Sequence, residues 1–154
     1  MIGHSSGAQL AAFVALDGEA RSRHGGGAGS IAGLATIGGP LNLSLCADGF
    51  VGRLVDGFAG PADSESRRDA DPIHVIGDEI GCPVLCVHGA RDPVVPSECS
   101  RSFVERVNAR NPGAARLAIA EGLHHVDTLL IFLQPELEPR VVLESWLEEV
   151  AGAW

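Results

Sequence analysis

Apolar residues along the chain fall into two kinds of block, short uninterrupted runs and longer stretches with helical spacing. Pro83-Val84-Leu85-Cys86-Val87-His88 is unbroken, as in a strand buried on both faces of a parallel sheet. Ile31-Ala32-Gly33-Leu34-Ala35-Thr36-Ile37 and Ala115 to Ala120 read as further short strands, and the first four residues as a strand stub. Between these runs the spacing turns helical. Ser6 to Leu16 is apolar nearly all round, which predicts a helix buried against a sheet, ended by Asp17-Gly18. A second helix starts at Asp48, carries Phe50, Val51, Leu54, Val55 and Phe58, and stops at Gly60-Pro61. Asp71-Pro72 predicts an N-cap opening a short helix to about Ile80. Pro96-Ser97 starts a helix striped with Cys99, Phe103, Val104 and Val107 and broken at Asn111-Pro112-Gly113. A closing helix runs from about Pro135 to Trp154, packed through Leu143, Trp146, Leu147 and Val150. Glu19 to Ser30 reads as a flexible connection, Ala62 to Ala70 as an exposed polar loop near a lid, and Glu121 to Val126 as a loop.

Strands alternating with helices imply one α/β domain over residues 1–154, with a parallel sheet and right-handed crossovers. In such a sheet the loops that follow strands share the carboxyl edge, where ligands bind. Ser5, Asp92 and His125 each follow a predicted strand, and all three fall on that edge. Ser5 sits in Gly3-His4-Ser5-Ser6-Gly7, the pattern of a nucleophile elbow, a turn so sharp that the hydroxyl projects alone. A serine hydroxyl needs an imidazole to take its proton, and the imidazole needs a carboxylate to fix its tautomer. Read without that context, Ser5 is a helix cap, Asp92 a turn residue before Pro93, and His125 a loop histidine.

Composition removes other classes. A net charge of −9 and the absence of lysine leave no basic surface for nucleic acid or an anionic membrane, so the expected partner is a small molecule. No apolar run approaches the roughly 18 residues of a membrane span, and the N-terminus shows no export signal, which points to the cytoplasm. Cys46, Cys82, Cys86 and Cys99 follow no zinc-site spacing and read as buried, unpaired thiols; a disulfide is not expected inside a cell. No cofactor is expected, and a metal site from His88, His124 and Asp127 is a minor alternative.

Three segments carry a resemblance: Gly3 to Ala11, Pro83 to Pro96 with its acid-bearing Arg91-Asp92-Pro93-Val94-Val95-Pro96, and Gly122-Leu123-His124-His125-Val126-Asp127. Together they resemble the α/β-hydrolase superfamily, and more narrowly its carboxylesterase and kynurenine-formamidase-like branch. Gly38-Gly39-Pro40-Leu41 is similar to the family's segment after the strand that follows the elbow. The resemblance implies Ser5 as nucleophile, Asp92 as orienting acid, His125 as general base and the Ser6 backbone N–H as an oxyanion donor. His125 is preferred to His124 because it takes the family's place before Val-Asp. The implied activity is hydrolysis of carboxylic esters or aryl formamides through an acyl-serine; a serine peptidase is a weaker variant.

Members of this superfamily place several strands and a His-Gly-Gly-Gly-type oxyanion loop before the elbow. The chain therefore reads as a carboxyl-terminal portion of the fold, a strand stub plus about three strands with flanking helices. His24-Gly25-Gly26-Gly27 has the letters of that loop but precedes a strand, which places it on the opposite sheet edge. An edge strand left open invites association, so completion by an N-terminal half or by a homo-oligomer is expected. The competing expectation is a catalytically inactive fragment or interaction module that keeps these residues by descent.

Overall fold

The computed structural model describes residues 1–27, 29–46 and 49–152, and of Phe50 the backbone alone. Four parallel strands, β1 (Ile2–His4), β2 (Leu34–Ile37), β3 (Val84–Gly89) and β4 (Ala115–Ala120), lie side by side in chain order. The register pairs Gly3 with Thr36, Thr36 with Cys86, and Cys86 with Leu117. Helices α1 (Ser6–Leu16), α5 (Glu98–Arg110) and α6 (Glu138–Gly152) cover the sheet.

Strand alternation sorts the core into two layers. Leu34, Val84 and Cys86 point to one face and pack with Ala11, Ala12 and Ala15 of α1 and Phe103 and Val107 of α5. Ala35, Ile37, Leu85 and Val87 point to the other face and meet Leu143, Trp146 and Val150 of α6. β3 is fully buried along its length, as its unbroken apolar run predicts. A third cluster joins Leu43, Cys46, Val55, Ala59, Val95 and Cys99, bringing α3 (Gly49–Ala59) against the start of α5.

Several expectations are corrected. Gly18–Arg23 is a short helix, α2, rather than flexible chain, because Asp17, the residue that ends α1, also caps the next turn by accepting from the Ala20 N–H at 2.8 Å. The polar 62–70 stretch contains α4 (Glu65–Asp69) and is tied down from inside. Ser64 caps it, and the buried Arg67 guanidinium donates to Asp56 Oδ1 at 2.8 Å and to the Leu43 carbonyl at 3.0 Å. Asp71 caps as expected, but only a single tight turn, Pro72–His74, follows. Beyond it the backbone bonds to α5 instead of to itself: Arg110 donates to the Ile76 carbonyl, Asn111 Nδ2 to the Gly77 carbonyl, and the Ile80 N–H to Asn111 Oδ1. The strand expected over Ile31 to Ile37 narrows to Leu34–Ile37, and a further tight-turn segment occupies Asp127–Phe132.

Burial on two helices also differs from the pattern. α1 buries Ala8, Ala11, Ala12, Ala15 and Leu16 yet leaves Leu10 66% exposed and Val14 exposed. On α3, Val55 and Ala59 face inward while Leu54 and Phe58 face outward, and on α6 Leu147 is exposed. Asp48, Trp154 and the Phe50 side chain lie outside the described residues.

Candidate active site

The carboxyl ends of the four strands deliver four segments to one place. β1 runs into Ser5, β2 into Gly38, β3 into the Asp92 turn and β4 into the His124-His125 loop. Ser5 adopts φ 53°, ψ −125° and is the one non-glycine residue at positive φ among those described. That conformation is costly for a residue with a Cβ and persists only where its surroundings fix it. The fixing is visible: the Ser5 N–H donates to the Ile37 carbonyl at 2.9 Å, and its own carbonyl accepts from Ala8 N–H at 3.0 Å and Gln9 N–H at 3.3 Å.

Gly3 lets strand and helix meet this closely. A Cβ there would stand 2.8 Å from Ala8 Cα and nearer still to the Gly7 carbonyl, all backbone that cannot swing aside. Gly3→Ala is accordingly expected to push α1 off β1 and cost about 1–3 kcal/mol or more, the range for overpacking a core. A lower denaturant midpoint together with slower serine labelling is the expected reading; unchanged values for both contradict this account of the turn.

The side chains form a hydrogen-bonded chain. Asp92 Oδ2 lies 2.7 Å from His125 Nδ1, and His125 Nε2 lies 2.9 Å from Ser5 Oγ. A carboxylate only accepts, so Nδ1 carries the imidazole proton and Nε2 is left to accept the Ser5 hydroxyl hydrogen. Of the two adjacent histidines, His125 is the one between Ser5 and Asp92. His124 lies outside, its exposed ring 3.0 Å from Asp127 Oδ2.

Each member is held from behind by residues that the sequence pattern did not single out for that purpose. The other Asp92 oxygen, Oδ1, accepts from the Val94 and Val95 N–H groups at 2.8 and 2.9 Å. His88, wholly buried in β3, has Nε2 2.9 Å from the Val95 carbonyl and 3.4 Å from Asp92 Oδ2. Because the carbonyl can only accept, Nε2 is the protonated nitrogen, and Nδ1 receives the Ser100 hydroxyl hydrogen at 2.7 Å. Burial alone would raise the Asp92 pKa, but the hydrogen bonds from His88, Val95 N–H, His125 and Val94 N–H outweigh it and lower it to about 2. The His125 backbone carbonyl accepts from Thr128 Oγ1 at 2.6 Å and from His4 Nε2 at 3.2 Å, which fixes the loop behind the ring. Gly38, at φ 55°, passes so close that a Cβ would sit 3.4 Å from His125 Nδ1. These supports were legible only as letters, since their partners lie far away in the chain.

The N-terminal end of α1 lies directly behind Ser5. The first N–H groups of a helix have no intrahelical partner and carry positive partial charge, so Ser6 N–H is suited to an anionic oxygen. His24 and Gly26 line a cavity with Met1, at the amino end of β1, which puts the glycine run across the sheet from Ser5 as the topology predicts. A depression of about 730 Å³ lies elsewhere, lined by Ser44, Arg67, Asp71 and His74 among others, none of which belongs to the Ser-His-Asp chain. His88 is committed to Val95 and Ser100, while His124 and Asp127 bond to each other. The three residues considered for a metal are thus divided between two separate networks. Among the described residues, no helix is long and apolar enough to cross a membrane.

A parallel sheet with a serine-bearing turn between its first strand and helix is the architecture of the α/β-hydrolase type, and solved structures of that type superimpose on it. A family model described as serine hydrolase (FSH1) matches residues 1–132, and the chain belongs to that family. It is similar to a truncated carbohydrate esterase from gut microbiota (TM-score 0.62, 18% identity), covering 82% of this chain and 52% of that one. It is similar as well to an acylaminoacyl peptidase of Pyrococcus horikoshii (TM-score 0.65, 16% identity, 83% and 20% covered). A puromycin hydrolase matches with TM-score 0.62 and 26% identity over 86% of this chain and 20% of that one. The chain thus spans about half the length of the first of these and one fifth of the other two. No curated protein sequence matches it.

Proposed function

We propose that this serine hydrolase cleaves carboxylic esters or aryl formamides through an acyl-serine intermediate, with Ser5 as nucleophile, His125 as general base and Asp92 as the orienting acid. The observation that carries the proposal is the Ser5–His125–Asp92 hydrogen-bond chain, with contacts of 2.9 and 2.7 Å, anchored on a serine at positive φ. Ser5 Oγ attacks the substrate carbonyl carbon while His125 Nε2 takes its proton, and Asp92 stabilises the imidazolium so formed. Negative charge builds on the carbonyl oxygen, and Ser6 N–H is the donor we assign to it. His125 then hands its proton to the leaving alcohol or amine. Water, deprotonated by the same nitrogen, releases the acid and restores Ser5.

The bond cleaved sets the test. An aryl acetate and an N-formylaniline are compared as substrates for the wild-type chain and Ser5→Ala. Turnover of either that disappears with the hydroxyl supports the proposal, and the faster one names the class. Turnover that survives in Ser5→Ala sinks it.

A second reading, an inactive fragment or interaction module, draws on a different observation. Leu10 and Val14 of α1, together with Phe132 and the 77% exposed Leu133, leave apolar surface uncovered. Soluble protein with no turnover on either substrate is the outcome that favours this reading.

A further inference from the structure

Cys46 and Cys99 stand 53 positions apart in the chain, yet their Sγ atoms are 3.4 Å apart. Cys46 ends the tight turn Leu43–Leu45, and Cys99 lies in the first turn of α5. Both are free thiols within one apolar cluster with Leu43, Val55 and Val95. The Asn42 carbonyl oxygen faces both, 3.4 Å from Cys99 Sγ and 3.9 Å from Cys46 Sγ. Both are buried, but Cys46, 3% exposed, lines a cavity of about 600 Å³ together with Leu45, Asp92, Pro93 and Val94, while Cys99 is fully enclosed.

We propose that Cys46 and Cys99 form a redox modification site, a thiol pair that a hydroperoxide closes into a reversible disulfide. Cys46 reacts first. The cavity that Cys46 lines is wide enough for a molecule as small as hydrogen peroxide, and the hydrogen bond with Cys99 lowers the Cys46 pKa against the opposing effects of burial and the nearby Asp71 carboxylate. Cys99, whose thiol donates to the Asn42 carbonyl, is shifted the other way, raised by the same contact with Cys46 and by burial. The Cys46 thiolate attacks one peroxide oxygen, the O–O bond breaks, and the other oxygen leaves as water, giving a sulfenic acid. Cys99 then attacks the Cys46 sulfur, its proton goes to the departing hydroxyl, and a second water leaves as the S–S bond forms. Two thiols lose two electrons in all and the peroxide becomes two waters. Cys86 lacks this arrangement: it is enclosed in β3, where burial raises its pKa to about 12.

Trypsin separates the cysteines cleanly, because cleavage at arginine places Cys46 in residues 24–53, Cys82 and Cys86 together in 69–91, and Cys99 in 92–101. The reduced chain is treated with a few equivalents of hydrogen peroxide, alkylated in denaturant and digested without reductant. The expected product is the 24–53 peptide linked to 92–101, vanishing with dithiothreitol, while 69–91 remains doubly alkylated. In Cys99→Ser the pair cannot close, and dimedone is expected to trap the sulfenic acid on 24–53 at a level at least ten times that in the wild-type chain. A disulfide within 69–91, linkage between chains in place of the internal one, dimedone on 92–101 of the wild-type chain, or four unmodified thiols each overturns the proposal.

Discussion

Ser5→Ala is expected to lower kcat on an aryl ester by a factor on the order of 10⁶, the loss seen when a nucleophile is removed from an intact triad. Little of that loss should come from misfolding. The backbone at residue 5 is held by bonds from its own N–H and carbonyl, which alanine retains, and alanine tolerates φ 53° no worse than serine does. Steady-state rates on wild type and variant, with denaturant midpoints measured in parallel, check this. A fall of less than a hundredfold with the midpoint unchanged would show that the hydroxyl is not the attacking group.

Asp92→Asn is the second large effect, about 10⁴ in kcat, and the structure fixes which way the new amide turns. Oδ1 accepts from two backbone N–H groups, so the amide oxygen must occupy that place and the amino group must take the place of Oδ2. An amino group there donates to His125 Nδ1 and forces the imidazole proton onto Nε2, where it faces Ser5 Oγ and cannot accept from it. It also meets the His88 Nε2–H, so stability falls along with activity. The carboxylate contributes a pH signature of its own. Its pKa is about 2 in the folded chain against an ordinary unfolded value of about 3.9, so its stabilisation is complete above pH 4 and is lost as pH falls toward 2. Denaturant midpoints from pH 5 down to 2 should fall less steeply in Asp92→Asn than in wild type; parallel curves would contradict the assigned hydrogen bonds.

Periodicity made the sheet legible, because β3 and the stripe of α5 are buried where the pattern places them. It failed where side chains far apart in sequence hold the backbone. Arg67 reads as one more charge in a polar stretch, yet it anchors α4 through Asp56 and Leu43. Asn111 and Arg110 take up the backbone groups that a longer helix after Pro72 would need. Ser5, Asp92 and His125 could be sorted to one edge because topology alone decides that edge. Their supports could not: nothing local in Val87-His88-Gly89 says that this histidine will bond to Ser100 and Val95 behind the acid. Leu10 and Val14 show a further limit, since an apolar helix face predicts burial without saying which surface covers it.

The most direct test of the central claim is intact-mass analysis after treatment with a fluorophosphonate, on protein shown by gel filtration to be free of aggregate. A single phosphonyl adduct is expected on the wild-type chain, none on Ser5→Ala and a much slower one on Asp92→Asn, because attack on phosphorus needs the same serine, the same histidine and the same carboxylate. An adduct that persists in Ser5→Ala, or soluble wild-type protein that stays unlabelled, would contradict it.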